Sequence, residues 1–106
     1  FTWKEKEPES IQKAEAGWAL AQEKISSAAY DVIVLDEFTY PLHYQWLQTE
    51  TIIDWLKTHK PPDLHLVITG RDAPDALIDY ADLVTRMESV KHPHQAGFKA
   101  QRGIEF

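Results

Sequence analysis

The stretch Asp31-Val32-Ile33-Val34-Leu35-Asp36-Glu37 places an unbroken run of branched apolar residues between acidic ends. A run of this kind lacks the polar alternation of a half-exposed strand. It predicts a strand buried on both faces of a parallel sheet, with Asp36 and Glu37 delivered to the carboxyl edge. Open α/β sheets bind their ligands at that edge. A second run, Leu64-His65-Leu66-Val67-Ile68-Thr69, leads into Gly70-Arg71-Asp72, so the strand-to-turn junction is repeated. Asp82-Leu83-Val84-Thr85-Arg86-Met87 reads as a third strand.

Helical patterns separate these strands. Ile11, Ala14, Trp18, Ala21 and Ile25 recur at spacings of three and four, a stripe that predicts an amphipathic helix packed into the core. Pro8 suits the first turn of that helix, because its missing N–H would have no intrahelical partner there. The predicted start is therefore near residue 8, and Ser26-Ser27-Ala28-Ala29 ends the helix. Ile52, Ile53 and Leu56 put a second helix over residues 49–60, stopped by Pro61-Pro62. Pro74 and Asp75 open a third, running through Leu77, Ile78 and Ala81. Helix alternating with strand implies parallel strands joined by right-handed crossovers. The expected fold class is α/β, a mostly parallel sheet with flanking helices, and residues 1–106 are expected to lie in one domain. Three strands are few for such a sheet, so further strands are expected upstream of Phe1. Residues 90–106, with Gly97 and Gly103 and little periodicity, are expected to form a loop ending in a short strand.

Composition narrows the function classes. The chain has 106 residues, 43% of them hydrophobic, enough for one small domain with a modest core. A net charge of −6 argues against a general nucleic-acid surface, which needs clustered Lys and Arg. Residues 91–106 run the other way, with Lys91, Lys99 and Arg102 against Glu105. The absence of cysteine excludes a disulfide framework, a thiolate metal site and a Cys nucleophile, and accords with a reducing cytoplasm. No apolar run approaches the ~20 residues of a membrane span, so a soluble cytoplasmic protein is expected. The start at Phe1 rather than Met reads as that of a fragment.

The candidate chemistry lies at the strand ends. An apolar strand closing on Asp-Glu is the Walker B pattern of P-loop nucleotide hydrolases and transferases, whose acids hold Mg²⁺ directly or through water. The same residues also suit a core strand capped by solvated acids. The aromatic-rich residues 38–47 leave that edge either as a ligand-facing loop or as a short irregular helix that covers it. The Arg71 guanidinium could fork two phosphate oxygens or pair with Asp72 or Asp75. Phe1 and Trp3 are either packed as a strand end or exposed for a ligand. His92 and His94 could share a metal, but no third ligand stands near them in the sequence, and solvated imidazoles are the preferred reading. Ser10, Ser26, Ser27 and Ser89 lack nucleophile-elbow glycines, so no hydrolytic triad is expected. No G-x-x-x-x-G-K-[ST] occurs in these residues. If the acids bind Mg·ATP, the phosphate loop must come from a segment outside them or from another chain.

Six stretches in order carry a resemblance that covers essentially the whole chain. They are Phe1-Thr2-Trp3, Val34-Leu35-Asp36-Glu37, Thr69-Gly70-Arg71, Ala81-Asp82-Leu83-Val84-Thr85, Val90-Lys91-His92 and Gly97-x-x-Ala100-Gln101-x-Gly103-Ile104-Glu105-Phe106. Each is weak alone. Together the chain resembles the C-terminal portion of the bacterial ATP:corrinoid adenosyltransferases, without the portion that holds that family's P-loop. The resemblance implies a P-loop NTPase-like α/β fold, a homodimer, and transfer of the 5′-deoxyadenosyl group of ATP to the cobalt of a reduced corrinoid with release of triphosphate. It implies Mg²⁺, ATP as co-substrate and corrinoid as substrate, a flavoprotein reductant as a candidate partner, and no nucleic-acid or membrane partner. By motif, Asp36 and Glu37 would belong to the Mg²⁺·triphosphate site, with Glu37 the preferred direct ligand, and Arg71 would sit near the phosphates. Phe1 and Trp3 match family aromatics that lie against the corrinoid and displace the lower axial ligand of Co(II). The 106 residues alone are expected to be inactive. A rival reading is a non-catalytic interaction domain, or a partner subunit with a degenerate P-loop fold. The absent phosphate loop favours that reading, and the combined motifs count against it.

Overall fold

A computed structural model describes residues 3–91, with side chains from residue 7 onward. The element order is α1 (Trp3–Ser26), β1 (Val32–Leu35), α2 (Thr39–His43), α3 (Thr49–His59), β2 (His65–Ile68) and α4 (Asp75–Tyr80). β1 and β2 pair in parallel, with Val32 opposite His65, Ile33 opposite Leu66, Val34 opposite Val67 and Leu35 opposite Ile68. The α/β class expected from the periodicity is the class observed.

The helix stripe folds as its spacing predicts. Trp18, Ala21 and Ile25 of α1 are buried together with Ile52 and Leu56 of α3, Leu77 of α4, and Leu42, Leu47 and Leu64 from the α2 region and the approach to β2. Trp18 sits between two rings, with Phe38 at 5.5 Å and Trp55 edge-on at 5.3 Å. α1 begins before the predicted start and encloses Pro8. Pro8 therefore lies past the first turn, where its missing N–H leaves the Lys4 carbonyl without its intrahelical donor. At the other end Ala28 adopts φ 56°, and the Ser27 hydroxyl donates to the Lys24 carbonyl at 2.6 Å. That left-handed residue stops the helix where the small-residue cluster predicts.

Two expectations for the sheet are corrected. β1 is not buried on both faces: Ile33 and Leu35 pack on the core, while Val32 and Val34 are each 55% exposed. β2 repeats the pattern, with Leu66 and Ile68 inward and Val67 outward. The apolar stripes of the helices converge on a single face of the pair, so the unbroken apolar run reports only half of its environment within these residues. The predicted third strand is not formed either. Residues 81–91 have no helix or strand, and Leu83 and Met87 are 83% and 91% exposed. A strand is stabilised by a hydrogen-bonded neighbour, and among the described residues the only sheet is β1–β2. The tail expectations for residues 92–106, including His92 and His94, lie outside the described residues.

Candidate functional site

The parallel register carries past the strands and brings two polar ends together. Leu35 faces Ile68, so Asp36 and Thr69 meet at the next step, and the Thr69 N–H donates to the Leu35 carbonyl at 3.2 Å. The Thr69 hydroxyl accepts from the Glu37 N–H at 3.0 Å and donates to Asp36 Oδ1 at 2.7 Å. Glu37 itself adopts φ 57°. A left-handed conformation in a non-glycine residue costs of order 1–3 kcal/mol, and such strain gathers at functional positions. The hydrogen bond from its N–H to Thr69 offsets about 1 kcal/mol of that cost.

A second contact runs in the opposite direction. Thr39, at the start of α2, is 3% exposed, and its hydroxyl donates to the Arg71 carbonyl at 2.7 Å. Its backbone N–H points at the Thr69 carbonyl, at 3.5 Å. Gly70 lies between those two carbonyls at φ 144°, and a Cβ there would overlap the Thr39 hydroxyl. Each strand end thus contributes one threonine hydroxyl that holds the other. The arrangement brings Asp36, Glu37 and the backbone of Arg71 into one small patch at the carboxyl edge. All three residues are exposed, and among the described residues Arg71 makes no ion pair, so its candidate pairing with Asp72 or Asp75 is not formed.

Of the two forms left open by the sequence, the aromatic-rich residues take the short helix, α2. α2 buries Thr39 and Leu42 against the edge, whereas Tyr40 and Tyr44 stay 52% and 43% exposed. Tyr44 stacks on Trp46 at 5.3 Å, and Tyr40 stands 4.7 Å from Tyr44. The Tyr44 phenol, first through hydrogen bonding and then through charge, raises the Tyr40 phenol above its ordinary value. Tyr40 is therefore a neutral hydroxyl at neutral pH and no base. Tyr80 is also raised, by burial first and by Asp82 second. It lines an open groove of about 450 Å³ between α3 and α4 with Glu50, Asp54, Lys57 and Asp79. A wider groove of about 640 Å³ runs from Leu42 and His43 to Asp72 and Pro74. Neither groove is lined by Asp36 or Glu37, both of which are exposed at the strand edge.

That edge suits Mg²⁺ by its donor chemistry. Mg²⁺ takes one or two carboxylates and completes its shell with water and substrate phosphate, and two exposed hard-oxygen acids at one strand end could provide the protein share. Among the described residues no cluster of three or more His, Cys, Asp or Glu could form an all-protein cage. Of the other residues singled out from sequence, Phe1 lies outside the described residues and Trp3 is described in backbone alone, as the first residue of α1. Sequence reasoning passed over Thr39, and it quoted Thr69 and Gly70 without a role. The available signal was the register: two apolar runs that end in polar residues must bring those residues side by side once the runs pair in parallel.

Comparison with known proteins gives a consistent set of relatives. The family model described as ATP:corrinoid adenosyltransferase BtuR/CobO/CobP matches residues 1–106. A corrinoid adenosyltransferase of Sinorhizobium sp is 40% identical over 107 aligned positions, which take in all of this chain and 50% of that protein. One from Pseudomonas aeruginosa is 37% identical, covering all of this chain and 52% of its own length. Corrinoid adenosyltransferase CobA of Salmonella typhimurium is 36% identical, covering all of this chain and 54% of its own length. The chain spans about half the length of the curated relatives it matches.

Proposed function

The chain belongs to the ATP:corrinoid adenosyltransferase family, and from that premise we propose that the protein carrying it transfers the 5′-deoxyadenosyl group of ATP to the cobalt of a reduced corrinoid. Co(I) attacks the 5′ carbon, a Co–C bond forms, the C5′–O bond breaks, and the oxygen leaves with its electron pair as triphosphate. Co(I) is itself a strong nucleophile, so no Ser, Cys or His nucleophile and no general base is required. The protein's task is to align the 5′ carbon with cobalt, hold the departing triphosphate and exclude water.

The observation that carries this reading is the meeting of Asp36, Glu37 and Arg71 at one strand edge in a chain whose whole length matches the family. Asp36 and Glu37 would hold Mg²⁺, with Glu37 the direct ligand, and Arg71 would bind phosphate oxygens. When bound, the ion supplies charge neutralisation for the leaving triphosphate. The proposal extends to a P-loop NTPase-like fold of which residues 1–106 form part of a single domain, to a cytoplasmic homodimer, and to a flavoprotein supplying electrons to cobalt. The parallel β1–β2 pair with helices between its strands is the sheet connection such a fold uses. Residues 1–106 by themselves are proposed to lack transfer activity. Family membership disfavours the alternative of a non-catalytic interaction domain. The deciding assay supplies the full-length protein with ATP and Co(I) corrinoid. An alkyl–cobalt product and triphosphate in equal amounts are expected, and release of orthophosphate without a Co–C bond would refute the assignment.

Phe1 and Trp3 are proposed to act on the corrinoid by displacing the lower ligand of Co(II) and so easing its reduction. Replacing both by Ala in the full-length protein is expected to slow the reaction from Co(II) corrinoid with a protein reductant, and to slow transfer to pre-reduced Co(I) far less, because Co(I) has no lower ligand to displace. Packing residues would behave differently. Losing two buried aromatics costs about 3–5 kcal/mol each and depresses both assays through unfolding. Equal losses that track a lowered melting temperature would remove the corrinoid role.

A further inference from the structure

We propose that Thr69 is the positioning residue of the acid pair, its hydroxyl orienting the Asp36 carboxylate and fixing the Glu37 backbone for the metal–triphosphate site. This rests on the reading of Asp36 and Glu37 given above, and deepens it. A threonine hydroxyl has one proton and two lone pairs. The Glu37 N–H can only donate, so its 3.0 Å contact makes Thr69 Oγ1 the acceptor there. The single hydroxyl proton is then directed to Asp36 Oδ1, 2.7 Å away. The proton and one of the two lone pairs are thereby assigned to the two acidic residues. Asp36 is held through one oxygen, and Oδ2 is left outside the bond. Glu37 is held through its backbone, and its carboxylate remains outside the contact.

The placement separates this role from core packing. Ile68, the preceding residue, packs on the core, whereas the partners of Thr69 are the exposed Asp36 and the exposed Glu37. The Thr69 backbone is fixed by its own N–H bond to Leu35, and its branched Cβ leaves χ1 few choices. The hydroxyl therefore arrives at the acids already oriented. Groups that orient metal-ligating carboxylates typically alter metal affinity or activity by 10–100-fold when removed.

The test compares Thr69→Val, which keeps the shape and loses the hydroxyl, with Thr69→Ser, which keeps the hydroxyl, both in the full-length protein. Mn²⁺ replaces Mg²⁺ so that binding in the presence of ATP is read by electron paramagnetic resonance, independently of turnover. Hydrogen exchange at the Glu37 amide reads the backbone contact. Valine is expected to raise the Mn²⁺ concentration for half-saturation by about 10–100-fold. It should also expose the Glu37 amide to exchange and shift the melting temperature by no more than about 4 °C. Serine is expected to recover most of the Mn²⁺ affinity. A folded valine variant with wild-type Mn²⁺ binding and a protected Glu37 amide would overturn the proposal, as would a serine variant as impaired as valine. If valine fails to fold, serine alone decides, and a folded serine variant that has lost the affinity refutes the role. Glu37→Gln run beside them isolates the cause. If it is impaired while valine is not, only the Thr69 role fails; if Glu37→Gln is itself silent, the acid-site reading fails.

Discussion

Glu37→Gln in the full-length protein is expected to lower adenosyl transfer about 100-fold or more while leaving the melting temperature where it was. The separation follows from how Glu37 is built into the edge. Its fold-supporting contact is made by the backbone N–H to Thr69, which glutamine retains, and its side chain is exposed. The left-handed backbone at φ 57° is no harder for glutamine than for glutamate. What changes is one hard anionic oxygen donor, which Mg²⁺ prefers over a neutral amide. Transfer from Mg·ATP to Co(I) corrinoid, measured beside a thermal melt, checks this, and wild-type turnover would refute the assignment of Glu37. Asp36→Asn makes an informative companion. Its amide oxygen can still accept from Thr69, so orientation survives and only charge is lost. A milder loss than with Glu37→Gln would mark Asp36 as the ligand acting through water.

The sequence made legible those parts whose determinants are local. The stripe from Ile11 to Ile25 has one face, of which Trp18, Ala21 and Ile25 became core with Ala14 packed against them. Ile52, Ile53 and Leu56 with Pro61 bounded α3 to within a residue, because apolar spacing and a proline stop act within a few turns. Less was legible where the outcome depends on what packs from afar. The run from Val32 to Leu35 is apolar throughout, yet a sequence cannot say which layer reaches each side, and within these residues only one side is covered. Residues 82–87 have the composition of a strand, but pairing is a property of two segments and not of one. The site divides in the same way. Asp36, Glu37 and Arg71 stood out because charge after an apolar run is conspicuous. Thr39 and Thr69 did not, because a threonine acquires its meaning from the register that places it.

Gly70→Ala is expected to be the most damaging single substitution at the edge, and the geometry gives two separable reasons. The first is the backbone. At φ 144° an alanine leaves its allowed region, which costs about 1–3 kcal/mol. The second is space. The new Cβ would overlap the Thr39 hydroxyl and stand 2.9 Å from Thr39 Cβ, and Thr39 is buried and cannot swing away. Overpacking of this kind typically adds about 1–3 kcal/mol. The sum, about 2–6 kcal/mol, is a large share of the 5–15 kcal/mol that holds an ordinary domain together. A combined variant apportions it. Thr39→Ala alone removes the hydroxyl's bond to the Arg71 carbonyl, a loss of about 0.5–1.5 kcal/mol. In that background the hydroxyl overlap is gone, so adding Gly70→Ala should cost less than it does in the wild type, by roughly 0.5–3 kcal/mol of coupling. Denaturant midpoints for the four proteins of the cycle measure this. Equal costs in both backgrounds would assign the whole effect to the backbone. A Gly70→Ala variant as stable as wild type would show that the strand end does not pass beneath Thr39, and with it would go the placement of Arg71 beside the acids.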